Sequence, residues 1–210
     1  MSIDKAHALY FSPTGTTARA VLAAAKGTGL PVEETDLTNY KKPREYRRVF
    51  SKSDLVIAGL PVYAGRLPYR LDDFFSGLQG NGAAAAALVM YGHREYNDAL
   101  LELKNRLEER GFNVIAGAAF IGQHTYSKNI APGRPDEKDL KLAAEFGAKA
   151  LKTAVSADGG ELKLKGDFPY KWPGYDPENP GPHAHFPLLV SDENCVLCGA
   201  CAENCPWGAI

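Results

Sequence analysis

The 210 residues carry 24 basic and 25 acidic side chains, a net charge of −1, and are 45% hydrophobic and 23% charged. This balance excludes disordered, collagen-like and membrane-spanning classes, and it offers no electrostatic case for nucleic acid or a membrane surface. All 4 cysteines lie between positions 195 and 205, so a cysteine-free body precedes a cysteine-dense tail.

Met1–Lys5 has no apolar core behind its charges and does not read as a secretory signal. His7–Phe11 is a short apolar run that predicts a first strand. Ala18, Val21, Leu22 and Ala25 then fall at helical spacing. Pro31-Val32 opens a weaker strand toward Asp36. Asp54–Ala58 reads as a buried strand ending at Gly59-Leu60-Pro61. Leu71, Phe74, Phe75 and Leu78 share one face of a predicted helix, and Ala85–Met90 is a further apolar run. Leu100, Leu103 and Leu107 mark another helix, stopped at Arg110-Gly111. Val114–Phe120 is the fifth strand. A last helix runs from Asp136 to about Thr153, with Leu140, Ala144, Gly147 and Leu151 on its buried face. Continuous apolar strands alternating with helices predict an α/β fold: a parallel sheet covered on both faces.

From Ser156 to Pro187 glycine and proline are too dense for a helix. The stretch reads as an irregular connector, with a possible short strand over Glu161–Lys165. Phe168, Tyr170, Trp172 and Tyr175 predict that it docks on the body.

In open α/β sheets, ligands bind outside the carboxyl ends of the strands. Ser12-Pro13-Thr14-Gly15-Thr16-Thr17 follows the first strand with hydroxyls and a glycine at a helix amino terminus, where free N–H groups favour an anion. It has no basic residue and neither of the glycine patterns of nucleotide-binding loops. A phosphate monoester fits it better than a polyphosphate; an ordinary capped helix is the plainer reading. Pro61-Val62-Tyr63-Ala64-Gly65-Arg66 and Tyr91-Gly92-His93-Arg94-Glu95-Tyr96 set aromatics beside glycines at two further strand ends. Such a pair suits a flat ring. Gln123–Ser127, after the fifth strand, is a further candidate edge.

On these residues the span from about 5 to 155 resembles the flavodoxin-like fold, which implies a five-stranded parallel sheet of order 2-1-3-4-5. The resemblance implies FMN. Its phosphate would lie on Ser12, Thr14, Gly15, Thr16 and Thr17. Its ring would lie between Pro61, Val62, Tyr63, Ala64, Gly65, Arg66 and Tyr91, Gly92, His93, Arg94, Tyr96. Tyr63, Tyr91 and Tyr96 are equal candidates to stack on it. Ordinary flavodoxins are acidic around the flavin, whereas these loops carry Arg66, His93 and Arg94. Positive charge there predicts a raised potential, unless the arginines are solvated or pair with Glu95 or Asp98.

Cys195-x2-Cys198-x2-Cys201-x3-Cys205-Pro206 matches the bacterial ferredoxin run for a [4Fe–4S] cluster. Zinc is the alternative, but it usually takes more widely separated pairs. The fourth cysteine of such a run serves the other cluster in two-cluster ferredoxins, and no second run is present. The expectation is therefore either a chain truncated within its ferredoxin part, natively with a second cluster, or Cys205 joining the other three on one cluster.

Together with Gly59–Arg66 and Gly133-Arg134-Pro135-Asp136, these motifs resemble the flavodoxin–ferredoxin fusion proteins, the ferrodoxins. The implied organisation is a flavodoxin-like FMN domain over 1–155, a connector over 156–186 and a partial ferredoxin-type segment over 187–210. The implied function is electron transfer between FMN and the cluster, with a redox protein or a small molecule as donor and acceptor, in the cytoplasm. Two alternatives stand beside it: an FMN-dependent reductase of a small substrate such as a quinone, with Arg66, His93, Arg94 and His124 lining its pocket, and a non-catalytic domain that has lost FMN.

Overall fold

A computed structural model describes residues 2–39, 45–68, 71–156, 160, 162–171 and 195–205. Each expected strand forms: β1 Lys5–Tyr10, β2 Val32–Asp36, β4 Asp54–Pro61, β6 Ala84–Tyr91 and β7 Asn113–Ile121. They form one parallel sheet in the order β2-β1-β4-β6-β7, which is the expected 2-1-3-4-5. A separate two-stranded parallel pair joins β3, Arg48–Val49, to β5, Leu78–Gln79.

Alternate side chains of the central strands enter two cores. Leu9, Phe11, Val56, Ala58, Leu60, Ala85, Ala87 and Val89 face α3, Ala99–Glu108, through Leu100, Leu103 and Leu107. Ala8, Tyr10, Leu55, Ile57, Ala86, Leu88 and Met90 face α1, Thr16–Gly27, and α4, Glu137–Ser156. Helices therefore cover both faces, and the strands read as continuously apolar because neither face meets water.

Three local expectations change. The helix through Leu71–Leu78 is only α2, Asp72–Ser76, and Leu78 belongs to β5; all four apolar residues named for it are nonetheless buried. The buried residues of α4 are Asp139, Ala143, Gly147 and Ala150; of the four expected, Gly147 is among them and Leu140, Ala144 and Leu151 are half-buried beside it. The reason lies across the interface: a Cβ on Gly147 would stand 1.8 Å from the Ala24 carbonyl oxygen, and one on Gly27 2.1 Å from that of Ala144. Two helix backbones meet directly there, which only the smallest side chains permit. Finally, residues 162–165 form no strand. Leu162 and Leu164 instead pack on the core, Leu164 over Gly117.

The connector docks through Tyr170, as expected, while Phe168 is 75% exposed. Trp172 and Tyr175 lie outside the described residues.

Candidate functional site

The site is built at the carboxyl ends of β1, β4, β6 and β7. After β1 the chain turns through Gly15, at φ 77°, into α1. The Ser12 hydroxyl oxygen accepts the Ala18 N–H at 3.0 Å, and the Ser12 N–H donates to Thr38 Oγ1 at 3.0 Å. The Thr14 and Thr16 hydroxyls lie 3.2 Å apart. Thr17 is buried with its methyl beside Gly59, so it can offer only its backbone N–H. By helix geometry the first-turn N–H groups of Thr16 and Thr17 have no intrahelical acceptor. The loop thus presents neutral donors and open space over Gly15, where an added Cβ would meet nothing within 4 Å.

After β4, Tyr63–Arg66 closes a tight turn through two backbone hydrogen bonds, of 2.9 and 3.1 Å. Ala64 and Gly65, at φ 49° and 80°, are both left-handed, as a primed turn requires. Glycine is needed at 65 for a second reason: a Cβ would stand 2.6 Å from the Asn97 carboxamide oxygen. That oxygen is buried without a hydrogen-bond partner among the described residues. A buried acceptor left without a donor is rare; here it lies where the loops after β4 and β6 meet.

After β6, Tyr91 and Tyr96 meet edge to face at 5.5 Å. His93, at φ 65°, and Arg94 are exposed, while Gly92 lies against His124 from the loop after β7. Thr16 also approaches Gly122, which brings the loop after β1 beside the end of β7. Val62 donates to the Met90 carbonyl, tying the loops after β4 and β6 together. Tyr63 is the partly exposed tyrosine at the rim; burial raises its hydroxyl above the usual phenol range, and nearby Tyr126 adds to this. The predicted residues of these loops are therefore brought to one end of the sheet.

Arg66 takes the paired alternative of the electrostatic expectation, while His93 and Arg94 remain exposed. Its Nε and Nη2 donate to the two Glu102 oxygens at 2.7 and 2.9 Å, and both side chains are largely buried. Glu102 also accepts the Leu67 N–H. The pairing partner is neither Glu95 nor Asp98. The guanidinium charge is matched on the spot and does not stand over the loops after β4 and β6 as a free cation. A glutamate on the leucine face of α3 was the available signal, since a charge at a buried helix position needs a partner. Behind the loop after β7, the Arg134 guanidinium donates to both oxygens of Asp139 and holds that carboxyl below its ordinary range.

In the tail, Leu197 and Gly199 are both left-handed, at φ 54° and 75°, and α5 spans Ala200–Asn204. Cys195, Cys198 and Cys201 are exposed and Cys205 is half-buried. Among the described residues no three His, Cys, Asp or Glu side chains are gathered as a metal site. The donor set is four thiols on a chain that bends twice between the first and third.

Residues 188–210 match the family model of the 4Fe-4S binding domain. No curated protein matches the chain. Among solved structures, oxidised flavodoxin 1 from Bacillus cereus superposes with a TM-score of 0.52 at 20% identity, covering 71% of this chain and 98% of that one. A short-chain flavodoxin associated with a non-canonical PDU bacterial microcompartment gives 0.51 at 16% identity, covering 73% and 99%. The body is thus a flavodoxin-like fold. The chain as a whole joins that fold to a segment that matches a 4Fe–4S binding domain. Among the described residues no helix is long and apolar enough to cross a membrane.

Proposed function

We propose that this chain is an electron-transfer protein that holds FMN on its body and a [4Fe–4S] cluster on Cys195, Cys198, Cys201 and Cys205. The observation that carries the reading is the presence in one chain of a flavodoxin-like sheet with three loops converging at its carboxyl end and a cysteine run that matches a 4Fe–4S model. When bound, FMN exchanges one or two electrons and the cluster one, which together link two-electron to one-electron partners.

The loops fit the parts of the cofactor. Thr14, Thr16 and the α1 amides supply neutral donors to a phosphate monoester at the positive end of a helix. The Tyr63–Arg66 turn and the Tyr91–Tyr96 pair supply two walls for a flat ring. Transfer itself asks no acid or base of the protein; the residues bind, orient and set the potential.

The test is the visible spectrum and the flavin and iron content of the full chain purified without oxygen. Flavin and cluster bands together are the expected result, and absence of flavin after incubation with FMN would sink the proposal.

A further inference from the structure

Residues 162–171, which the sequence presents as the start of a linker, are fastened to both walls of the proposed ring site. Their chief anchor is Asp98, buried at 7% exposure. Its Oδ1 accepts the Asp167 N–H at 3.0 Å and its Oδ2 the Lys171 N–H at 2.9 Å. One carboxylate therefore clasps both ends of a short loop of the connector. The backbone of Asp98 faces the other way: its N–H donates to the Gly65 carbonyl at 3.1 Å.

Two further contacts act on the same walls. Tyr170 lies over the Arg66 guanidinium at 4.7 Å and accepts the Asn105 amide at 2.7 Å, and Arg66 is the residue that closes the Tyr63–Arg66 turn. Lys165 pairs with Glu95 at 3.0 Å and stands over the Tyr96 ring. Glu95 in turn accepts the Tyr96 and Asn97 amides through its other oxygen. Gly166, at φ 141°, permits the close approach, since a Cβ there would stand 2.8 Å from that of Leu101.

We infer that this segment is a strap whose docking is coupled to flavin binding, with Asp98 as the positioning residue that links the two. If the strap lifts, the Asp98 carboxylate exchanges its two backbone donors for water and the strap loses its chief anchor. The contacts of Tyr170 with Arg66 on one wall and of Lys165 with Glu95 on the other are lost at the same time. A ligand that needs both walls in place binds the docked form more tightly, so by linkage it favours docking to the same degree. The inference rests on the FMN reading, and the experiment separates the two.

Amide hydrogen exchange at Asp167 and Lys171 is measured in the full chain with and without saturating FMN. FMN affinity is then titrated by fluorescence in the native protein, Asp98→Ala and Tyr170→Ala. The second variant changes only a strap side chain, so it leaves the sheet intact if Asp98→Ala misfolds. The expected results are exchange slowed about tenfold or more at both amides by FMN, and affinity weakened by a similar factor in the variants with unchanged far-ultraviolet circular dichroism. A tenfold change corresponds to about 1.4 kcal/mol of coupling. FMN binding with exchange unchanged, or strap amides freed in Tyr170→Ala with affinity unchanged, overturns the strap alone. A flat titration of the native protein overturns the flavin reading and the strap with it.

Discussion

The body and the tail hold their shapes by different means. Leu55, Val56, Ile57, Leu60 and Leu88 in the sheet are fully sequestered between two helical layers. In the tail, α5 has no buried residue, and Val196 and Leu197 are more than four-fifths exposed. At roughly 25 cal/mol per Å² of apolar surface removed from water, the body has ample stabilisation and the described tail almost none. Segments this short ordinarily depend on a metal, a disulfide or a partner. The contrast shows why a tail that exposes its thiols still reads strongly at the level of sequence: its pattern is set by ligand chemistry, whereas the body's is set by packing.

The sharpest way to probe that contrast is Cys198→Ser. It is expected to abolish cluster absorbance and iron content while the thermal unfolding of the body stays where it was. A shifted body transition would show that the halves are not independent. Next in size, Arg66→Ala leaves the Glu102 carboxylate buried without its guanidinium and should destabilise the body by about 3 kcal/mol, read from urea unfolding. Gly147→Ala forces a methyl against the Ala24 carbonyl and should cost about 2 kcal/mol, measured in the same way, with reconstituted cluster content unaffected.

A smaller effect is expected from pH. Hydrogen bonds from Arg134 hold the Asp139 carboxyl below its ordinary value. Because the folded pKa is the lower one, the pair's stabilisation is complete above about pH 4 and is lost as pH falls through the folded value. Asp139→Asn should therefore be less stable than the native protein at pH 7, and denaturant titrations should show the gap closing below about pH 4. At the bottom of the scale, Tyr126→Ala removes a ring that is 90% exposed and should shift Tm by less than about 2 °C.

Much of the sheet was legible because its central strands are largely apolar runs, and the turn into α1 because hydroxyls and a glycine follow the first of them. What escaped was set by partners far away in sequence. Arg66 finds Glu102 across 36 positions, and Asp98 finds Lys171 across 73; no local pattern encodes either pair. The β3–β5 pair is two residues a side, too short to leave a period. On α4 the glycine of the expected face, Gly147, is buried, but Ala143 and Ala150 are buried in place of Leu140 and Leu151, because periodicity marks large apolar residues while this interface is made by glycine and alanine. Asn97 gave no signal at all, since its burial follows from the turn at Gly65.

The contact of Gly27 and Gly147 with the opposing helix backbones bears on the far end of α1 as well. With carbonyl against glycine, neither helix has a side chain that can rotate to absorb a roll or a slide, so the two move as one block. The amides of Thr16 and Thr17 hang from that block about two turns from Ala24. An anion reaching the loop would meet donors already fixed in direction, and the ordering cost of holding it there would have been met when the chain folded.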